Sequence, residues 1–202
     1  PQPEAREFGW ERPIQHVTID LPDVGPLHVI NLHLKSKLPT PVPGQRHPEV
    51  RWKWLSAAGW AEGYFLSSVK RVGQAMQTRR LLDTIFAADR DARIALCGDL
   101  NADLDDVPVL AIRGRVEETQ NPELAHTVIH PCEQSIPEQA RFSHYHHGQR
   151  NMLDHILVSR TLLRGYQGSE IFNEFLHDES VAHANKLYPE PDHAPVVAQF
   201  TA

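Results

Sequence analysis

Ala95-Leu96-Cys97-Gly98-Asp99-Leu100-Asn101-Ala102-Asp103 is an apolar run that stops at a glycine and passes into polar side chains at alternate positions. Residues 94–97 read as a short buried strand that delivers Asp99 and Asn101 to its C-terminal edge. Side chains two apart on a strand share a face, so the two converge on one ligand if the extended geometry persists. A carboxylate beside a neutral amide suits a hard cation and a phosphoryl oxygen. Taken alone, Gly, Asp and Asn also spell a turn.

Upstream, residues 15–21 and 27–34 read as two antiparallel strands joined through Pro22-Asp23-Val24-Gly25-Pro26. The second carries Asn31, His33 and Lys35 on one face, followed by Ser36; a solvated strand face is the alternative. Residues 37–48 are a proline-rich loop. Residues 50–88 read as helical, with breaks expected at Gly59, Gly63 and Gly73. Trp52, Trp54 and Trp60 are expected to pack in the core or at its rim, base-stacking platforms being the alternative, and Arg71, Arg79 and Arg80 to form a solvated helix face, a ligand site being the alternative.

Downstream, residues 105–112 suggest a short helix and residues 117–139 a polar loop over the surface. Strands are expected over residues 141–146, 152–158 and 194–200, with a helical turn at 159–163. The strand–helix–strand order makes a mixed α/β class, and no repeat or linker interrupts it, so residues 1–202 form one domain.

Composition narrows the function. With 41% hydrophobic and 23% charged residues the chain is ordinary for a globular protein, and no apolar stretch is long enough to span a bilayer. A cytoplasmic location is favoured, any N-terminal signal lying outside this chain. Two cysteines are no disulfide framework, and Cys97 reads as a small buried hydrophobe. A net charge of −6 argues against a broad basic surface for duplex nucleic acid, though not against a local groove.

Polar pairs recur where successive strands begin or end: Asn31 and His33, Asp99 and Asn101, Asp154 and His155, Asp192 and His193. One pair is weak, but four on successive strands are hard to ascribe to turns. Asn31-Leu32-His33-Leu34-Lys35-Ser36, Gly98-Asp99-Leu100-Asn101, Leu153-Asp154-His155-Ile156-Leu157 and Asp192-His193-Ala194-Pro195-Val196 resemble, in order, four motifs of the endonuclease/exonuclease/phosphatase superfamily. These are the deoxyribonuclease-I-like metal-dependent phosphoesterases. Arg71 with Gln74-Ala75 is similar to the family's helix before the Gly-Asp strand.

The resemblance implies a four-layer α/β sandwich, two packed mixed sheets flanked by helices, and hydrolysis of phosphodiesters with Mg²⁺ or Mn²⁺. Asp99 would bind the metal or orient the attacking water, Asn101 would hold a phosphoryl oxygen, and Asp192 would serve the metal region. His193, oriented by Asp154, would be the general acid/base or transition-state stabiliser, and His33 would contact the scissile phosphate. Asn31, Lys35 and Ser36 would bind substrate, Lys35 being equally readable as a surface lysine. His155 should point to the opposite face and pack. His144, His146 and His147 read as a basic loop near a phosphate, with zinc ligation the alternative.

The resemblance also implies a metal-binding glutamate, with an asparagine before it, on strands upstream of His33. Glu4, Glu7 and Glu11 lie in no such context, so the chain reads as the C-terminal part of such a domain. Pro191 stands where the family usually has serine. Nucleic acid or another phosphodiester is the expected partner and the oligomeric state is open. A phosphomonoesterase, a lipid phosphodiesterase or a non-catalytic binding module are the rival readings.

Overall fold

Alternation through residues 15–33 folds into a hairpin, β1 (Gln15–Leu21) against β2 (Gly25–His33), with Val17 opposite Val29 and Ile19 opposite Leu27. A computed structural model describes residues 10–178, 180 and 191–201. The chain then crosses through a 32-residue helix, α1 (Ala57–Ala88), into β3 (Arg93–Asp99), which lies parallel to β2. After α2 (Val107–Arg113) and the single-turn α3 (Val116–Thr119) come β4 (Ile129–Pro131), the short hairpin β5 (His144–His146) and β6 (Gln149–Asn151), and β7 (Asp154–Ser159). The turn α4 (Arg160–Leu163) leads to β8 (Tyr166–Ile171), and β9 (Val196–Phe200) closes the described chain.

The main sheet is five-stranded and mixed, in the order β1-β2-β3-β7-β4, while β5–β6 and β8–β9 form two-stranded sheets. A mixed multi-stranded sheet with further sheets and helices is the α/β class expected. The core fills the space between the sheet and the helices. Ile30, Leu32, Ile94, Leu96, Ile129 and Leu157 from the strands meet Ala75, Leu82, Ile85 and Phe86 of α1 and Val109 and Ile112 of α2. A second cluster of Ile136, Met152, Ile171 and Ala194 seats the β8–β9 sheet and the segment entering β9.

Several expectations are corrected. Helix α1 starts at Ala57, capped by Ser56 Oγ accepting from Gly59 N at 2.9 Å, and runs unbroken through Gly59, Gly63 and Gly73. A side chain at Gly63 would meet the Thr40 carbonyl oxygen at 2.4 Å, so this glycine admits the preceding loop onto the helix. Packing against that loop outweighs the cost of about 1 kcal/mol for a helical glycine. Arg71 and Arg79 are buried, not solvated. Arg79 Nη1 donates to the carbonyls of Ile112 (2.9 Å) and Thr127 (3.0 Å), tying α1 to the following segment.

Trp52 and Trp60 are exposed (67% and 46%), and Trp54 carries the Arg46 guanidinium 4.5 Å above its ring. Cys97 is only half-buried, because it lies on the sheet face away from α1. Residues 117–139 are no surface loop: β4 pairs with β7, and Ile129, Cys132 and Glu133 are buried. Their short polar segments carry no usable period, so only the sheet reveals them. Strand β8, Tyr166-Gln167-Gly168-Ser169-Glu170-Ile171, likewise carries no usable period.

Candidate active site

Three strand ends bring the polar residues side by side. In the β2–β3 register His33 lies opposite Asp99, and in the β3–β7 register Asp99 lies opposite Asp154. Neighbouring strands are about 4.8 Å apart, so these side chains form one row along the rim. Gly98 makes the row possible: its φ is +131°, and a Cβ there would lie 1.9 Å from the Leu32 carbonyl oxygen.

Asp99 and Asn101 do converge, by a different route from the one expected. The strand ends at Asp99, and Asn101 turns into the left-handed region at φ 49°. Asp99 Oδ1 accepts from Asn101 N (2.8 Å), and Asn101 Nδ2 donates to Asp99 Oδ2 (3.1 Å) and the Leu34 carbonyl (3.1 Å). Asparagine tolerates this backbone better than other non-glycine residues. Both amide hydrogens of Asn101 are thereby spent on holding Asp99 and the end of β2. His33 Nε2 stands 3.2 Å from Asp99 Oδ2.

His193 comes from the segment before β9. An isolated bridge to His144 and a 2.7 Å hydrogen bond from Ala194 N to the Ser143 carbonyl dock it beside β7. Its Nδ1 lies 2.6 Å from Asp154 Oδ2, which leaves Nε2 as the nitrogen available to the cleft. Asp154 is held in turn by Ser143, whose Oγ donates to Oδ2 (2.7 Å) and accepts from the amides of Leu153 (3.0 Å) and Asp154 (3.1 Å). Ser143 is fully buried. Nothing in the sequence marked it, because its role depends on where the β5 entry meets β7.

Burial raises the Asp99 carboxyl above its usual range, with the Asp154 charge adding to the effect and Asn101 and His33 opposing it. Burial lowers His33. Burial also works against ionised Asp154, but the hydrogen bonds from His193 and Ser143 outweigh it and hold the acid below its usual value. The hydrogen bond to Asp154 raises His193. The stabilisation from that pair is therefore complete below the ordinary imidazole value, about 6.5, and fades as pH rises through the folded value. In an NMR titration the His193 ring is expected to titrate above the ordinary value in the wild type and to fall in Asp154→Asn. A wild-type ring titrating below the ordinary value would contradict the pairing.

The row opens into a cleft of about 1060 Å³ whose lining includes His33, Lys35, Ser36, Asp99, Asn101, Asp154, Asp192 and His193. Asn31 is exposed and two residues back along β2, outside that lining. Helix α1 braces the wall after β2: Gln74 Oε1 accepts from Lys35 N (2.7 Å), and Arg71 Nη1 donates to the carbonyls of Lys35 and Ser36, both at 3.1 Å. Glu11 sits at the cleft edge, paired with Lys70 (2.9 Å) and Lys35 (3.5 Å). Glu4 and Glu7 lie outside the described residues.

Two sets of candidate ligand atoms fall within 4.8 Å of one another: Asp99, Asp154 and His193, and His144, Asp192 and His193. Asp99 and Asp192, the expected metal pair, are thus divided between them. Two carboxylates at the rim make a hard-oxygen set that fits Mg²⁺ or Mn²⁺. The His144, His146 and His147 trio is not such a set among the described residues, although all three side chains line the cleft. His155 points to the other face, as expected. It is buried there between Glu133 (Nδ1 to Oε1 2.5 Å) and the Ala102 carbonyl (Nε2 to O 2.8 Å).

A family model described as "Endonuclease/Exonuclease/phosphatase family" matches residues 49–189. No curated protein matches the sequence. Among solved structures, a mannosyl-6-phosphatase of Bacteroides thetaiotaomicron has 15% identity and a TM-score of 0.54, over 97% of this chain and 61% of its own. An endonuclease/exonuclease/phosphatase family protein of the same organism has 15% identity and a TM-score of 0.50, over 94% and 56%. A 3′ phosphatase from Neisseria bound to a product DNA hairpin has 19% identity and a TM-score of 0.49, over 94% and 70%. The chain spans less than two thirds of the first two.

Proposed function

Because the chain belongs to the endonuclease/exonuclease/phosphatase family, whose members are hydrolases, we propose that its cleft hydrolyses phosphodiesters, in the manner of a nuclease, with Mg²⁺ or Mn²⁺. The observation that carries the reading is the His193–Asp154 pair standing beside Asp99 at one rim, with oxygen ligands for a hard cation in reach. Water would attack phosphorus in line with the departing oxygen.

Asp99 and Asp154 would hold the cation, with Asp192 as a further carboxylate across His193. When bound, such an ion neutralises charge developing on the phosphoryl oxygens and makes water a better nucleophile. The other groups act by position and charge. Asp154 fixes the Nδ1 proton of His193, so a proton at Nε2 faces the substrate and offsets the charge that grows there. His33 lies along the same row, placed to touch the scissile phosphate. Asn101 keeps the Asp99 carboxylate aimed at the rim; contact with a phosphoryl oxygen would require it to release one of its two internal bonds. Lys35 and Ser36 supply a cation and a hydroxyl where the substrate enters.

Metal removal tests this directly. With a single-stranded oligonucleotide or an aryl phosphodiester, turnover is expected with Mn²⁺ and to be abolished by EDTA. Asp99→Ala is expected to lose both turnover and calorimetric Mn²⁺ binding. Turnover unaffected by EDTA would exclude metal-assisted hydrolysis. A folded wild type that neither binds Mn²⁺ nor turns over would leave a binding module, the rival reading.

A further inference from the structure

Trp60 and Tyr64, one turn apart on α1, are stacked with ring centroids 5.5 Å apart and planes 20° from parallel. Both line the same cleft as the rim, yet both remain exposed, at 46% and 43%. Gly63, between them, lets the loop seat against the neighbouring face of the helix. It presents large aromatic surface to solvent beside a cleft of polar residues. Base–aromatic stacking is a chemistry that uses such a surface.

The lining between the stack and the rim narrows the ligand. The run from His33 to Pro39 borders the cleft, passing from the rim histidine through Lys35 and Lys37 to Leu38 and Pro39, with Leu34 turned into the core. Lys35, paired with Glu11 at 3.5 Å, and Lys37, 3.4 Å from Asp106, thus lead from the rim to the apolar surface of Leu38 and Pro39 beside the stack, a surface that suits a flat ring. We infer that the Trp60–Tyr64 stack is a subsite for an unpaired nucleobase, which makes single-stranded nucleic acid the substrate class of this cleft. The inference rests on the nuclease reading of the same site. Bases within a duplex have both faces covered by their neighbours, so only an unpaired or terminal base can lie on the stack.

The test measures binding separately from hydrolysis. Fluorescein-labelled oligothymidylate and an abasic strand of equal length are titrated with the full chain in EDTA, and anisotropy gives the two Kd values. The wild type is expected to prefer the base-bearing strand by roughly ten- to hundredfold, the worth of one stacked base. Trp60→Ala should remove that preference and Trp60→Phe keep most of it, with thermal melting to confirm that both are folded. Equal binding of the two strands by the wild type, or a preference that survives in Trp60→Ala, would overturn the subsite. Hydrolysis of both strands without such a preference would sink the subsite and spare the nuclease reading. A base preference without any hydrolysis in Mn²⁺ would do the reverse.

Discussion

Replacing His193 with alanine is expected to lower kcat/KM for phosphodiester hydrolysis by roughly 10²–10⁴-fold, the usual contribution of a positioned acid–base group. The ring sits at the rim with Nδ1 locked on Asp154 at 2.6 Å, so the proton at Nε2 is oriented before substrate arrives. Removing it takes away the cation that faces the developing charge, and no other described residue of the segment entering β9 replaces it. Asp154→Asn should lower the rate as well and also shift the pH profile, because it removes both the carboxylate that raises the ring and one of the two carboxylates placed to hold the cation. His193 is half-buried and anchored through the backbone, so thermal melting of the alanine variant should stay near that of the wild type. Full activity in a folded His193→Ala protein would remove this residue from the mechanism.

Glu133→Ala is expected to cost about 3–5 kcal/mol of stability, the value of breaking a buried ion pair. For a chain of this length that is a fall in Tm of roughly 6–20 °C. His155 has acceptors at both ring nitrogens, the Glu133 carboxylate and the Ala102 carbonyl, so the ring carries two protons and is cationic. Burial opposes that charge, and Glu133 with Ala102 outweighs it, raising His155 above its ordinary value. The pair's stabilisation is accordingly complete below about pH 6.5 and is lost as pH rises through the folded value. Without Glu133 the ring must lose its second proton or remain charged with only the Ala102 carbonyl to face it. A Glu133→Leu/His155→Phe double variant should recover much of the loss, since an apolar pair needs no desolvated charge. Urea unfolding of the single and double variants checks this, and a double variant less stable than Glu133→Ala would contradict it. The pair is also bound to the carbonyl of Ala102, directly after Asn101, so the single variant should loosen the rim along with the core.

How much of this was legible follows from what each residue depends on. The β1–β2 hairpin, β3 and β7 could be read because alternation and turn residues act within a few positions. The row His33, Asp99, Asp154 could be read because each residue sits at the end of an apolar run, where a sheet must stop and present polar groups. The order of four such ends was enough for the family resemblance. Helix α1 is legible by its period, but the part its glycines play is not, since the loop pressing on Gly63 comes from a different part of the chain. The burial of Arg71 and Arg79 is hidden for the same reason: a buried arginine is recognised by the carbonyls it reaches, and those lie on other elements.

Local pattern by itself determined the strand ends and the residue types gathered at them. Tertiary structure alone decided how they are held: Ser143 under Asp154, Glu133 against His155, and Gln74 and Arg71 behind Lys35 and Ser36. Each of these contacts joins residues at least ten positions apart, and hydrogen bonding and burial depend on distance in space, which no short-range period encodes.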